Sequence, residues 1–132
     1  GIEVMGHIGL TPQTITSFKV QGKDKESADK ILEESKKLDK AGCFSLVLEC
    51  IPLELAKTIT NKIKIPTIGI GAGIHCDGQV LVTNDILGLY GDFKPRFIKR
   101  YAEIGAEMKK AFEEYAKDVR ERKFPTEEQS FH

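Results

Sequence analysis

The sequence predicts an α/β protein on a parallel sheet, about half of an eight-stranded barrel in size. Three observations carry this. Four apolar runs of strand length lack polar alternation: Val4–Leu10, Phe44–Cys50, Pro66–Ile70 and Gln79–Val82. Strands of a parallel sheet read this way because both faces are covered. Helical patterns with short connections separate the runs, the strand–helix–strand rhythm of an α/β fold. The third observation is length: the chain has 132 residues, and a complete (β/α)8 barrel takes ~250. Four strands with about four helices make half of one. A lone half would leave two open parallel edges and an uncovered apolar inner face, which invite pairing with another chain. So either another chain supplies the remainder, or the fold is a small open α/β sheet.

Each element has its own signals. Val4–Leu10 is the first strand, and Thr11-Pro12-Gln13 reads as a turn after it. Ser27 is the expected cap of a helix burying Ala28, Ile31, Leu32, Ser35 and Leu38, which stops at Ala41-Gly42. Phe44–Cys50 is the second strand. Pro52 stands at the expected first position of a helix that buries Leu55, Ala56 and Ile59. The third strand starts at Ile65-Pro66 and runs into the glycine-rich Gly69–Gly73. The fourth is Gln79–Val82, with Ile86–Leu89 as a candidate continuation. Pro95 is expected to open a long helix over 95–123. Phe97, Tyr101, Ile104, Met108, Phe112, Tyr115 and Val119 form one stripe along it, at steps of three and four. Such stripes are mostly core faces, so packing is preferred to partner binding. The tail 124–132 is polar and expected to be irregular. The whole, 1–132, is expected to be one domain with strand–helix units over 1–94.

Composition excludes several classes. Twenty basic residues balance twenty acidic ones, so there is no basic excess to recruit nucleic acid. No apolar run approaches the roughly 18–20 residues of a membrane helix. The N-terminus lacks the basic and apolar regions of a signal peptide. It opens on Gly1 with the apolar pattern beginning at once, so the expectation is a chain that starts inside a domain. Cys43, Cys50 and Cys76 have no framework spacing and are read as reduced thiols of a cytoplasmic protein. Two of them with His75 lack the paired spacing of a zinc site.

Glu49 is the first candidate for chemistry. It closes the apolar run Leu46-Val47-Leu48, where a barrel strand meets the active-site mouth. Partial burial of a carboxylate raises its pKa and suits it to proton transfer. The plainer alternative is a carboxylate satisfied by a backbone amide or a lysine. His7, between Gly6 and Ile8, is a candidate to hydrogen-bond substrate or Glu49; the alternative is a core histidine bonded to backbone. Gly69–Gly73 resembles a phosphate cradle but lacks the spacing of a dinucleotide fingerprint and the lysine of a P-loop. A tight turn is preferred. His75 and Asp77 follow on an expected mobile loop, where a folate contact is open but not singled out. Asp85 is read as the cap of a helical turn rather than as catalytic. Lys19 and Gln21 have no ranking between substrate and subunit contact.

Six segments carry a resemblance. They are Gly6–Gln13 (GHIGLTPQ), Lys19–Gly22 (KVQG), Leu46–Pro52 (LVLECIP), Ile65–Gly73 (IPTIGIGAG), Asp77–Val82 (DGQVLV) and the terminal Ser130–His132. Together they resemble the ketopantoate hydroxymethyltransferase family over almost the whole chain, in its C-terminal half. The resemblance implies a (β/α)8 barrel of the phosphoenolpyruvate/pyruvate type. It implies transfer of a hydroxymethyl group from 5,10-methylenetetrahydrofolate to 3-methyl-2-oxobutanoate, giving 2-dehydropantoate for pantothenate synthesis. It implies Glu49 as the proton acceptor and a divalent ion, usually Mg2+, that chelates the 2-oxo acid. The metal-binding acids and a substrate-binding lysine belong to the family's N-terminal half, so no metal ligand is expected in this chain. The implied partners are that N-terminal half and further copies in a homo-oligomer, and the isolated chain is expected to be inactive. Two alternatives stand beside this: a non-catalytic half-barrel assembly module, and another 2-oxo-acid enzyme of the same barrel superfamily.

Overall fold

A computed structural model describes residues 1–11, 19–91 and 95–131. Pro12 and Gln13 of the expected turn lie outside them. The contacts cluster into two compact units, Gly1–Leu81 and Val82–His132, where the sequence leads to one domain.

The first unit is a parallel sheet of β1 (Met5–Gly9), β2 (Ser45–Glu49), β3 (Thr67–Ile70) and β4 (Gly78–Gln79), in the order β1-β2-β3-β4. Consecutive strands pair without a reversal of order, as in a barrel wall and unlike a doubly wound sheet. Helix α1 (Lys25–Lys40) links β1 to β2, and α2 (Leu53–Lys62) links β2 to β3. Between β3 and β4 there is no helix, only the loop after Ile70. The fourth strand is shorter than expected and shifted toward the N-terminus. Val80 and Val82 are exposed instead of laddered, although the Val80 N–H still donates to Gly69 O at 3.0 Å.

Side chains alternate across a strand, and here the two faces differ. Ile8, Leu46 and Leu48 point to one face and form the core with Ile31 of α1 and Ala56 and Ile59 of α2. Leu32, Leu38 and Leu55 pack at its margin. The buried Ser35 hydroxyl is satisfied by donating to Leu32 O at 2.7 Å. The other face carries Met5, His7, Ser45, Val47, Glu49, Ile68 and Ile70, of which only Ser45 is buried.

The cap of helix α1 lies three residues before the expected one. Asp24 is the N-cap, and its carboxylate accepts from the Ser27 N–H at 2.9 Å. Ser27 lies inside the first turn, its hydroxyl turned back to Asp24. Both residues are capping types, and Asp24 has the extended backbone that a cap needs. The stop at Ala41-Gly42 is as expected. Pro52 precedes α2 by one position, as its flanking residue.

In the second unit, α3 (Thr83–Ile86) takes the place of the expected strand continuation. Asp85 does not cap it; Val82 holds the N-cap position and Asp85 lies within the turn. The long helix α4 spans Ile104–Arg120 instead of 95–123. Its start is fixed by the end of α3. The N–H groups of Tyr101 and Ala102 donate to Ile86 O, that of Ile104 to Leu87 O, and that of Gly105 to Gly88 O. Orphan donors at one helix start thus meet orphan carbonyls at another helix end. Pro95 opens only a turn, with Ile98 N–H on Pro95 O at 3.0 Å. The stripe Met108, Phe112, Tyr115 and Val119 is exposed, contrary to the packed face expected. The tail contains one turn of 3-10 helix, Glu127–Gln129, closed by Thr126 and Gln129. No described helix is long and apolar enough to cross a membrane.

Candidate active site

The register of β1 on β2 sets the site. His7 lies opposite Val47 and Gly9 opposite Glu49, so His7 and Glu49 share the uncovered face two residues apart along the strands. Glu49 is the last residue of β2, and its side chain turns toward His7. The His7 Nε2 lies 2.9 Å from Glu49 Oε2. Of the partners open to His7, the structure places it against Glu49. The imidazole is 37% exposed and the carboxylate 16%. A carboxylate at this depth has shed most of its water, yet one oxygen is held by a ring nitrogen. Parallel sheets bind ligands beyond the carboxyl ends of their strands, and that is where Glu49 stands.

The backbone around Glu49 is tied on three sides. Its carbonyl accepts from Leu10 N–H at 2.9 Å, beyond the end of β1. The next residue, Cys50, donates its N–H to Ile70 O of β3 at 2.9 Å and accepts from Gln21 N–H at 2.9 Å. Gly9 is left-handed (φ 92°), and a Cβ there would lie 2.2 Å from Glu49 O, so only glycine lets β1 end this close to β2. Cys50 itself is left-handed at φ 49°. Sequence reasoning missed this residue, since nothing in the composition of LVLECIP marks a positive φ at a cysteine. Burial, reinforced by the Glu49 carboxylate, pushes the Cys50 thiol up, so it is protonated at neutral pH.

The glycine-rich segment forms the expected tight turn. Gly69 lies in β3, while Gly71 (φ 64°) and Gly73 (φ 83°) turn the chain back beside the sheet. The following loop is anchored. Asp77 accepts from the Thr67 N–H at 2.8 Å and from its hydroxyl at 3.1 Å, and Thr60 and Thr67 hydroxyls meet at 2.9 Å. Gln79 donates to Gly73 O at 2.8 Å. Burial also pushes the Cys76 thiol up, against the opposing hydrogen bonds of Thr67 and Thr60. Asp77 is thereby structural, and the structure does not bring His75 or Asp77 to the His7–Glu49 pair through any contact. Gln21 Nε2 donates to Lys19 O at 2.8 Å, which orders KVQG internally. Among the described residues no group of three or more His, Cys, Asp or Glu side chains is placed to hold a metal ion. The three cysteines are free thiols.

The carboxylate–imidazole pair stands at the carboxyl end of a parallel strand, where α/β enzymes of the barrel class place their functional groups. Comparison with known sequences makes this specific. The sequence profile of the ketopantoate hydroxymethyltransferase family matches residues 1–127. The chain belongs to that family. It is 56% identical over 135 residues to a 3-methyl-2-oxobutanoate hydroxymethyltransferase of Anaeromyxobacter dehalogenans, covering 100% of this chain and 44% of that relative. A protein of the same name from Clostridium kluyveri is 57% identical over 133 residues, covering 98% of this chain and 48% of the relative. One from Clostridium acetobutylicum is 56% identical over the same length. The chain spans about half the length of the curated relatives it matches. The family fold is a (β/α)8 barrel, and the four parallel strands here form part of one.

Proposed function

We propose that this chain is the C-terminal half of a (β/α)8 hydroxymethyltransferase. The enzyme transfers a one-carbon unit from 5,10-methylenetetrahydrofolate to 3-methyl-2-oxobutanoate, and Glu49 is its general base. The observation that carries the reading is the placement of Glu49, at the carboxyl end of β2 with one oxygen on His7. A base must lie within hydrogen-bond reach of the proton it takes. Glu49 Oε1 is left free of the His7 contact, on the uncovered face. Carbon–carbon bond formation at C3 of the oxo acid requires that C3–H lose its proton and that the electron pair attack the one-carbon unit, whose bonds to the two folate nitrogens break while water supplies the hydroxyl oxygen, so that oxo acid, methylenetetrahydrofolate and water give 2-dehydropantoate and tetrahydrofolate. Glu49 accepts that proton. His7 holds the other oxygen and fixes the direction in which the free one points, and it is the residue of this chain proposed to line the substrate site.

The residues described here do not by themselves form a site for Mg2+. A divalent ion, usually Mg2+, would chelate the 2-oxo acid, and its ligands are proposed to belong to the N-terminal half. That half is the proposed partner across the uncovered sheet face, and the whole enzyme is proposed to assemble as a homo-oligomer in the cytoplasm.

The test uses the full-length protein containing this segment. Formation of 2-dehydropantoate from the oxo acid and methylenetetrahydrofolate is followed for the wild type and Glu49→Gln. A well-placed general base is worth ~10²–10⁴-fold; the expected loss in kcat is of that order, with oxo-acid affinity within about twofold, since uniform binding is untouched. Turnover by Glu49→Gln at the wild-type rate would remove Glu49 from the reaction.

A further inference from the structure

Cys50 follows the base in sequence and has no part in the proposed proton transfer. Its thiol is buried and protonated. Its backbone is unusual: φ is 49°, a left-handed conformation that side chains other than Gly, Asn and Asp seldom adopt. Both backbone polar groups are engaged, the N–H by Ile70 O of β3 and the C=O by Gln21 N–H. Such residues persist where the surroundings over-determine them, and they cluster at functional sites.

We infer that Cys50 is a positioning residue for Glu49. Its left-handed turn, clamped between Ile70 and Gln21, ends β2 at the base and aims the carboxylate at His7. The inference rests on the reading of Glu49 as the proton acceptor. Geometry explains why a turn is needed. A further extended residue would carry β2 onward along β3, and Ile51, which is buried, would alternate to the face that carries Glu49 and His7. The left-handed step instead directs Ile51 into the helix-side core with Ala56 and Ile59. Pro52 follows as the flanking residue of α2. The KVQG segment gains a role by the same argument. Gln21 N–H supplies one arm of the clamp. The neighbouring Gly22 is seated where a Cβ would meet Leu55 Cδ2 of α2 at 2.7 Å and Ile31 Cδ1 of α1 at 3.0 Å. The arm is therefore held by both helices that cover the sheet. Neither Lys19 nor Gln21 needs a substrate contact to explain its place.

The experiment is a substitution series at Cys50 in the full-length enzyme, with Glu49→Gln measured alongside. Cys50→Gly removes the Cβ that makes the left-handed turn costly, Cys50→Ala keeps that cost as in the wild type, and the β-branched Cys50→Val raises it. A catalytic group displaced by about 1 Å can cost ~10²-fold in rate. The expected result is a kcat loss of that order for Cys50→Val, with Cys50→Ala within about fivefold of wild type and Cys50→Gly no worse than Cys50→Ala, all with KM for the oxo acid nearly constant. Loss of packing alone would rank the variants differently, because glycine removes the most side chain. Equal kcat across the series, or a ranking with glycine worst, overturns the inference. If Cys50→Val does not fold, the order of Ala against Gly decides it. A flat Cys50 series with inactive Glu49→Gln overturns the positioning role alone, whereas an active Glu49→Gln removes the reading beneath it.

Discussion

The two faces of the sheet are made from the same strands yet do opposite work. On the helix side Gly6, Ile8, Leu46, Leu48 and Thr67 are all buried. On the other side Met5 and His7 are exposed, Val47, Glu49, Ile68 and Ile70 are only half-buried, and Ser45 alone is buried. A surface of that apolar character with two ionisable groups at its upper end is not a finished solvent face. Its aliphatic residues are those of a barrel interior, where layers of side chains from alternate strands fill the space. The contrast teaches that stability within this chain comes from one face, and that the other is left for the chemistry proposed above.

The sharpest way to break that contrast is to truncate matched neighbours. Leu48→Ala removes a side chain with no exposed surface and should cost ~2–5 kcal/mol, the range for such core cavities. Val47→Ala, one residue earlier on the half-buried face, should cost under about 1 kcal/mol in this chain, because less area leaves the interior. Urea unfolding midpoints give both. In the full-length protein the second value should rise toward the first if the N-terminal half covers this face. An unchanged Val47→Ala penalty there would mean that the face stays open.

Gly9→Ala is the next in size, and it acts where the two faces meet. The added Cβ would stand 2.2 Å from Glu49 O on a backbone at φ 92°. Strain of this kind costs ~1–3 kcal/mol, and relief requires β1 and β2 to separate at their carboxyl ends. Stability should fall, and activity should fall further, since the His7–Glu49 contact spans that seam. Lost stability with full activity would show that Glu49 is insensitive to the seam.

How much of this was legible in the sequence depends on what each residue had to signal. Apolar runs without alternation marked β1, β2 and β3, because burial is written in side-chain type. The site followed from the strands: Glu49 at the end of LVLEC and His7 within MGHIG belong to neighbouring strands, and their shared face is a consequence of register. What stayed hidden depends on backbone partners far along the chain. Pro95 carries a helix-start signal, yet the start of α4 was decided by the carbonyls of Ile86, Leu87 and Gly88. Val80 to Val82 carry a strand signal, but pairing with β3 ends at Gln79. The left-handed Cys50 had no signal at all, since its φ is imposed by Ile70 and Gln21 and not by its own preference.

The smallest expected effect lies at Asp24, on the helix side, and its sign can be worked out. The Ser27 hydroxyl, and then the Ser27 N–H, hold the Asp24 carboxyl below its ordinary value of 3.8. A carboxyl lowered on folding binds a proton more readily in the unfolded chain. Its contribution is therefore present above the unfolded value and is lost as pH falls through the folded one. Asparagine caps a helix comparably but does not titrate. Amide hydrogen exchange across the first turns of α1 should accordingly protect the wild type somewhat better than Asp24→Asn at neutral pH. The difference should shrink below pH about 4, as the lowered carboxyl takes its proton. A difference that does not change with pH would mean that the Asp24 charge adds nothing to the cap, and that oxygen geometry alone starts the helix.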